Sequence, residues 1–217
     1  MEQINRLKSN METVIIGKSY AVSLVIAGFL SQRHILIEDI PGVGKTTLAH
    51  TLAKSIDCQF KRVQFTPDLL PSDILGVSVF QRDTSTFKFQ PGPIFTNILL
   101  VDEINRATPR LQAALLEAMA EAQVTIDGKS LPLPSPFLVM ATQNPVEYEG
   151  TFPLPESQMD RFSLSVNMGY LSVEDEAKMV RDQRDSHPIN HIHPVLKPQD
   201  IIHLQNRVKN IKVDDQL

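Results

Sequence analysis

An apolar run, His34-Ile35-Leu36-Ile37, leads through Glu38 into Asp39-Ile40-Pro41-Gly42-Val43-Gly44-Lys45-Thr46, and a helical pattern opens with Thr47-Leu48-Ala49. A strand, a tight glycine turn and a helix in this order make a phosphate-binding loop. Successive backbone N–H groups turn inward around an anion, and the positive end of the helix dipole points at it. Pro41 to Thr47 would form the cradle, Lys45 would reach the outer phosphates, and the Thr46 hydroxyl would hold Mg²⁺. The strict pattern carries glycine at position 39, where this chain has aspartate. The tail Gly-Val-Gly-Lys-Thr is complete, so the loop is expected to work. The bland alternative is a glycine turn that binds nothing.

A chain of 217 residues is long enough for one or two domains with a sizeable core. Its net charge of −4 supplies no bulk positive field, which argues against nucleic acid or an anionic membrane as partner. One cysteine, Cys58, allows no internal disulfide and no cysteine-rich zinc site. The amino terminus is polar and amphipathic, and the apolar stretch from Val22 to Leu30 is too short to span a bilayer, so a cytoplasmic setting is expected.

Helical spacing covers residues 3 to 30, interrupted at Ile15-Ile16-Gly17-Lys18. Five strands are predicted: His34 to Glu38, Phe60 to Phe65, Asn97 to Val101, Phe137 to Thr142 and Phe162 to Val166. Several are continuous apolar runs, as strands buried on both faces of a parallel sheet require. Helical patterns separate them, most clearly Leu111, Leu115, Ala118 and Met119 behind a Thr108 cap and Pro109. This alternation predicts a doubly wound α/β layer. Two hairpins interrupt it, one over Gly76–Phe80 and Thr86–Phe89, the other turning at Asp127-Gly128. From Ser172 the character becomes polar helix, running to about Arg184 and resuming from about Lys197. The predicted boundary falls near Tyr170, giving units 1–170 and 171–217.

The third strand ends Ile98-Leu99-Leu100-Val101-Asp102-Glu103. An acid at the carboxyl end of such a strand lies beside the phosphate loop, in the ligand crevice of an open α/β sheet. Asp102 is the expected outer-sphere holder of Mg²⁺ and Glu103 the group that polarises an attacking water. A hydrolase needs the second carboxylate, whereas a nucleotide kinase or switch GTPase does not. Taken alone, such a run is more often a strand leading to a solvated loop. The fourth strand ends Met140-Ala141-Thr142-Gln143-Asn144-Pro145, where Asn144 is either a phosphate-sensing amide or a turn initiator. Arg161, before the fifth strand, has no local signal beyond that of a surface arginine. His187-Pro188-Ile189-Asn190-His191-Ile192-His193 has ligand-like spacing but no cysteine or acidic company, and reads as a polar loop.

In order, the phosphate loop, Gly92-Pro93-Ile94-Phe95, Leu100-Val101-Asp102-Glu103-Ile104-Asn105-Arg106-Ala107, Ala141-Thr142-Gln143-Asn144-Pro145 and Leu154-Pro155-Glu156-Ser157-Gln158-Met159-Asp160-Arg161-Phe162 resemble the MoxR family of AAA+ ATPases over nearly the whole chain. The resemblance implies a P-loop NTPase fold, an αβα sandwich on a five-stranded parallel sheet with a small helical lid, assembled as a hexameric ring. It implies ATP or ADP with Mg²⁺ as ligands, Ile16 and Gly17 against the adenine, Asn144 as first sensor, and Arg161 as a finger reaching a neighbour's γ-phosphate. The hairpins resemble the clade's helix-two insert and pre-sensor hairpin. Leu217 falls soon after the lid begins, so a truncated lid is expected, with the second-sensor arginine outside these residues. The implied function is a chaperone-like remodelling ATPase in maturation of partner complexes or metal-cofactor insertion, with a von Willebrand factor A-type partner. Two alternatives stay open: a helicase-like nucleic-acid motor, for which the hairpins offer little beyond Arg82, Lys88 and Lys129, and a nucleotide-binding module that does not turn over.

Overall fold

The computed structural model describes residues 1–144, 150–182 and 186–211. Two helices, α1 (Glu2–Glu12) and α2 (Ser19–Leu30), precede strand β1 (His34–Glu38) and helix α3 (Lys45–Ser55). Strand β2 (Phe60–Gln64) and helix α4 (Pro71–Leu75) follow, then the hairpin β3 (Gly76–Gln81) and β4 (Thr86–Pro91), then β5 (Ile98–Asp102). Helix α5 (Pro109–Glu121) leads to a second hairpin, β6 (Gln123–Ile126) and β7 (Lys129–Pro132), and to β8 (Leu138–Gln143). The short α6 (Glu156–Met159), strand β9 (Phe162–Val166), α7 (Val173–Asp182), a 3₁₀ turn over Pro188–His191 and α8 (Pro198–Lys209) complete the chain.

Five strands form one parallel sheet in the order β2-β5-β8-β1-β9, and each hairpin forms a separate two-stranded ribbon. These five lie within a residue of the predicted strands, and both hairpins are present. Residues alternate sides along a strand, so a fully apolar strand feeds two cores at once. Ile35, Ile37, Ile98, Leu100, Leu138 and Met140 enter the core shared with α1, α2 and α3. Leu36, Leu99, Val101, Val139 and Ala141 enter the other, shared with α5. Each fully buried Leu or Ile contributes about 1.5–3 kcal/mol of transfer free energy, which makes this three-layer sandwich the stable arrangement of the pattern. Beyond Tyr170, Ile189, Ile192, Leu196, Ile201 and Leu204 are buried in the same cluster as α1 to α3.

Helix α5 starts as its sequence dictates: Pro109 occupies the first position and the Thr108 hydroxyl accepts from the Leu111 N–H at 3.4 Å. His34 fastens the opposite end of the sheet. Its Nδ1 accepts from the Val139 N–H at 3.0 Å and its Nε2 donates to the Met119 carbonyl at 3.1 Å, tying β1, β8 and α5 together. Helix α7 covers Val173–Asp182, and the continuation expected to about Arg184 lies outside the described residues. Among the described residues, no helix is long and apolar enough to cross a membrane.

Candidate functional site

The sheet order puts β1 between β8 and β9 and sets β5 beside β8, so the carboxyl ends of β1, β5 and β8 open onto one crevice. It is a cavity of about 310 Å³ whose walls include Pro41, Gly42, Gly44, Lys45, Thr46 and Thr47 from the loop, and Asp102, Glu103 and Asn144 from the strand ends. Gly42 and Gly44 hold φ of 90° and 93°, the left-handed region where a side chain is strained, and Gly44 caps α3. The loop therefore wraps the cavity at the amino end of an eleven-residue helix, where a helix dipole favours an anion.

Lys45 reaches back across the loop, its Nζ donating to the Asp39 carbonyl at 2.7 Å. Burial pushes its pKa below the ordinary lysine value, and the fields of Asp39, Asp102 and Glu103 oppose that shift. Asp102 and Glu103 are pinned through Thr142, whose Oγ1 accepts the Glu103 N–H at 3.0 Å and donates to Asp102 Oδ1 at 3.2 Å. Glu103 sits at φ 56°, left-handed for a residue with a side chain, and its Oε2 pairs with Arg106 Nη1 at 2.9 Å. On the other side of Asp102, Arg62 Nε donates to Oδ2 at 2.5 Å.

Thr142 and Arg62 are the functional residues that sequence reasoning missed. Thr142 had a legible signal, as a hydroxyl on an apolar strand tip just before Gln143-Asn144. Arg62 had none, since an arginine on an exposed edge strand looks like a solvated side chain. The Arg62 pairing also tests the site for a divalent cation. Asp102 is an anionic oxygen donor that already holds a positive group on the crevice side, and the Thr46 hydroxyl lines the same cavity. Hard oxygen donors with room for water suit Mg²⁺, so Thr46 and Asp102 fit as its holders. Among the described residues there is no group of three or more His, Cys, Asp or Glu arranged to hold a metal, the His187–His193 stretch included.

A smaller cavity of about 70 Å³ adjoins the loop through Val43, Gly44 and Thr47, and Ile16, Met168 and Leu171 close it. Ile16, expected against the adenine, is among its lining residues. Gly17 is not among the lining residues; it faces Leu171 and the Asp175 carboxylate. Val43 lines this smaller cavity and not the phosphate crevice. Arg161 does not line the crevice either. It precedes β9, whose Phe162 pairs with His34 at the amino end of β1, the edge of the sheet opposite the crevice.

The parallel sheet, glycine loop and strand-end acids define a P-loop NTPase fold of the AAA+ type. Residues 34–164 match the family described as "ATPase family associated with various cellular activities (AAA)". The chain is 52% identical over its full length to the uncharacterized protein YeaC of Bacillus subtilis, covering 66% of that protein. It is 42% identical over 207 residues to Chaperone MoxR1 of Mycobacterium tuberculosis, covering 95% of this chain and 54% of that one. The crystal structure of a candidate ATPase from Cytophaga hutchinsonii superposes with a TM-score of 0.88 at 39% identity, over 99% of this chain and 65% of the other. This chain belongs to the MoxR family of AAA+ ATPases. It spans between half and two thirds of the length of these relatives.

Proposed function

We propose that the crevice binds ATP with Mg²⁺ and hydrolyses it, and that the protein works as a chaperone-like remodelling ATPase assembled as a ring. The observation that carries this reading is the convergence of Lys45, Asp102, Glu103 and Asn144 on one cavity at the amino end of α3. The loop amides and Lys45 bind the phosphates, and the helix dipole favours the same negative charge. Thr46 and Asp102 hold Mg²⁺, which when bound neutralises charge on the phosphate oxygens. Glu103 takes a proton from the attacking water, and Asn144 orients the water or the γ-phosphate. Ile16 and Val43 bear on the base. Ile16 brings the short segment Ile15-Ile16-Gly17-Lys18 with it, so Gly17 acts as the turn of that segment and not as a contact.

Arg161 lies just before the amino end of β9 and does not line its own crevice, which favours a role in trans: it supplies a cation to the site of an adjoining subunit. The segment from residue 171 is read as the start of the helical lid. Similarity to a protein named Chaperone MoxR1 favours remodelling over a nucleic-acid motor. Maturation of partner complexes or metal-cofactor insertion, a von Willebrand factor A-type partner and a cytoplasmic setting belong to the same reading. The test is Glu103→Gln: ATP affinity by calorimetry stays within about threefold of wild type while phosphate release falls by about 10²-fold or more. Hydrolysis at the wild-type rate in the variant refutes the assignment of Glu103.

A further inference from the structure

Asp39 replaces the first glycine of the phosphate-loop pattern, and the structure gives it three separate attachments. Its side chain is buried, at 5% exposure. Oδ1 accepts from the Ile40 N–H at 2.9 Å, while Oδ2 accepts from Met168 N at 2.6 Å and Gly169 N at 2.8 Å. The Asp39 N–H donates to the Gln143 carbonyl at 3.2 Å. Its own carbonyl receives Lys45 Nζ at 2.7 Å. A buried carboxylate is tolerated when several N–H groups surround it, and these bonds are stronger than neutral ones. A glycine here would leave the amides of Met168 and Gly169 without this acceptor.

Met168 and Gly169 leave the end of β9 and lead to α7. Met168 and Leu171 wall the smaller cavity beside Gly44, and Gly169, Tyr170 and Leu171 face Pro41 to Gly44 across a further cavity of about 320 Å³. The same segment is gripped from the other side by Lys18, whose Nζ donates to the carbonyls of Gly169 and Tyr170. One residue therefore holds both Lys45 and the segment that faces the loop.

We infer that Asp39 is a positioning residue that couples occupancy of the phosphate crevice to the placement of residues 168–171 and of α7 behind them. This rests on the nucleotide reading above. Phosphate oxygens compete with the Asp39 carbonyl for Lys45, so their arrival changes the load on the residue whose carboxylate fixes the segment. The aspartate is a joint between loop and segment, not a decayed glycine.

The experiment is amide hydrogen exchange on the full chain with and without Mg²⁺-ADP, for wild type, Asp39→Gly and Asp39→Asn, with ADP affinity measured in parallel by calorimetry. In wild type, ADP slows exchange across residues 168–182. In Asp39→Gly, the Met168 and Gly169 amides exchange at least about tenfold faster, the ADP-induced slowing beyond them is lost, and ADP affinity stays within about fivefold. Asn keeps one oxygen and turns an amide donor toward the same N–H groups, so it gives the same loss should the glycine variant not fold. Lys18→Met releases the segment from its other side and weakens the same response. Retention of the full ADP response in a folded Asp39 variant overturns the coupling. Loss of ADP binding in a folded variant overturns it too, because Asp39 then serves the phosphate loop alone. If wild type does not bind ADP, the nucleotide reading itself is wrong.

Discussion

Replacing Arg62 by glutamine separates the two cations that compete for Asp102. Arg62 Nε lies 2.5 Å from Asp102 Oδ2, with the arginine side chain 52% exposed and that of the aspartate 10%. Hydrogen bonds between charged groups contribute about 1.5–3 kcal/mol and exposed ion pairs about 0.2–1 kcal/mol. With one partner half in water, about 1–2 kcal/mol is the appropriate range. A divalent cation held by Asp102 has to overcome that pairing, so its removal lowers the Mg²⁺ concentration needed for half-maximal ATP binding by about 5- to 30-fold. The assay is a Mg²⁺ titration at fixed ATP, read by calorimetry or a fluorescent analogue, with urea midpoints as a check on folding. A Mg²⁺ midpoint that stays put or rises refutes the competition. A loss of ATP affinity at saturating Mg²⁺ would instead assign Arg62 to the phosphates.

Lys45→Ala removes a charge-assisted contact and should cut ATP affinity by about 10- to 150-fold in calorimetry. Because burial lowers the Lys45 pKa, wild-type affinity should begin to fall on the alkaline side before an ordinary lysine titrates, and the variant should lose that slope. Arg161→Ala in a full-length assembly should keep ATP binding and lose about 10³-fold in turnover, and mixing it with Lys45→Ala subunits should restore part of it; no rescue in demonstrably mixed rings counts against a shared site. His34 is buried neutral, with its pKa lowered below 6.5 chiefly by burial, so the unfolded chain binds the extra proton first. Stability should therefore be full above that value and fall as the pH drops from 6.5 toward the lowered pKa, by about 1.4 kcal/mol per pH unit in that window. Urea midpoints at pH 7.5 and 5.5 measure it, and His34→Gln should flatten the difference.

Most of the elements were legible because their signals are local. Short continuous apolar runs marked β1, β5 and β8, Thr108-Pro109 marked the start of α5, and Asp127-Gly128 marked a hairpin turn. The loop from Pro41 to Thr46 and the acids Asp102 and Glu103 were legible for a related reason: phosphate binding and strand-end acids have fixed positions relative to their own strand. Three things were not. Arg62 lies on a strand whose exposed pattern carries no hint that β2 runs beside β5. Glu103 has its side chain turned to Arg106, which follows from a left-handed backbone at Glu103 and not from residue type. Asp39 read as a departure from a pattern because its partners, Met168 and Gly169, come 129 and 130 residues later.

Sequence by itself determined which segments are strands, which helices flank them, and which loop carries the glycines, since hydrogen-bonding periodicity and turn conformation depend on neighbours along the chain. The tertiary structure decided the lateral order β2-β5-β8-β1-β9, and with it every cross-strand meeting at the site: Arg62 on Asp102, Thr142 between the two acids, and Asp39 on the segment after β9. It also decided that Arg161, just before the amino end of β9, does not line its own crevice. An apolar strand buried on both faces satisfies the same local rules beside any parallel partner. Its neighbours are chosen by the packing of helices in two cores and by right-handed crossovers, which are properties of the whole chain.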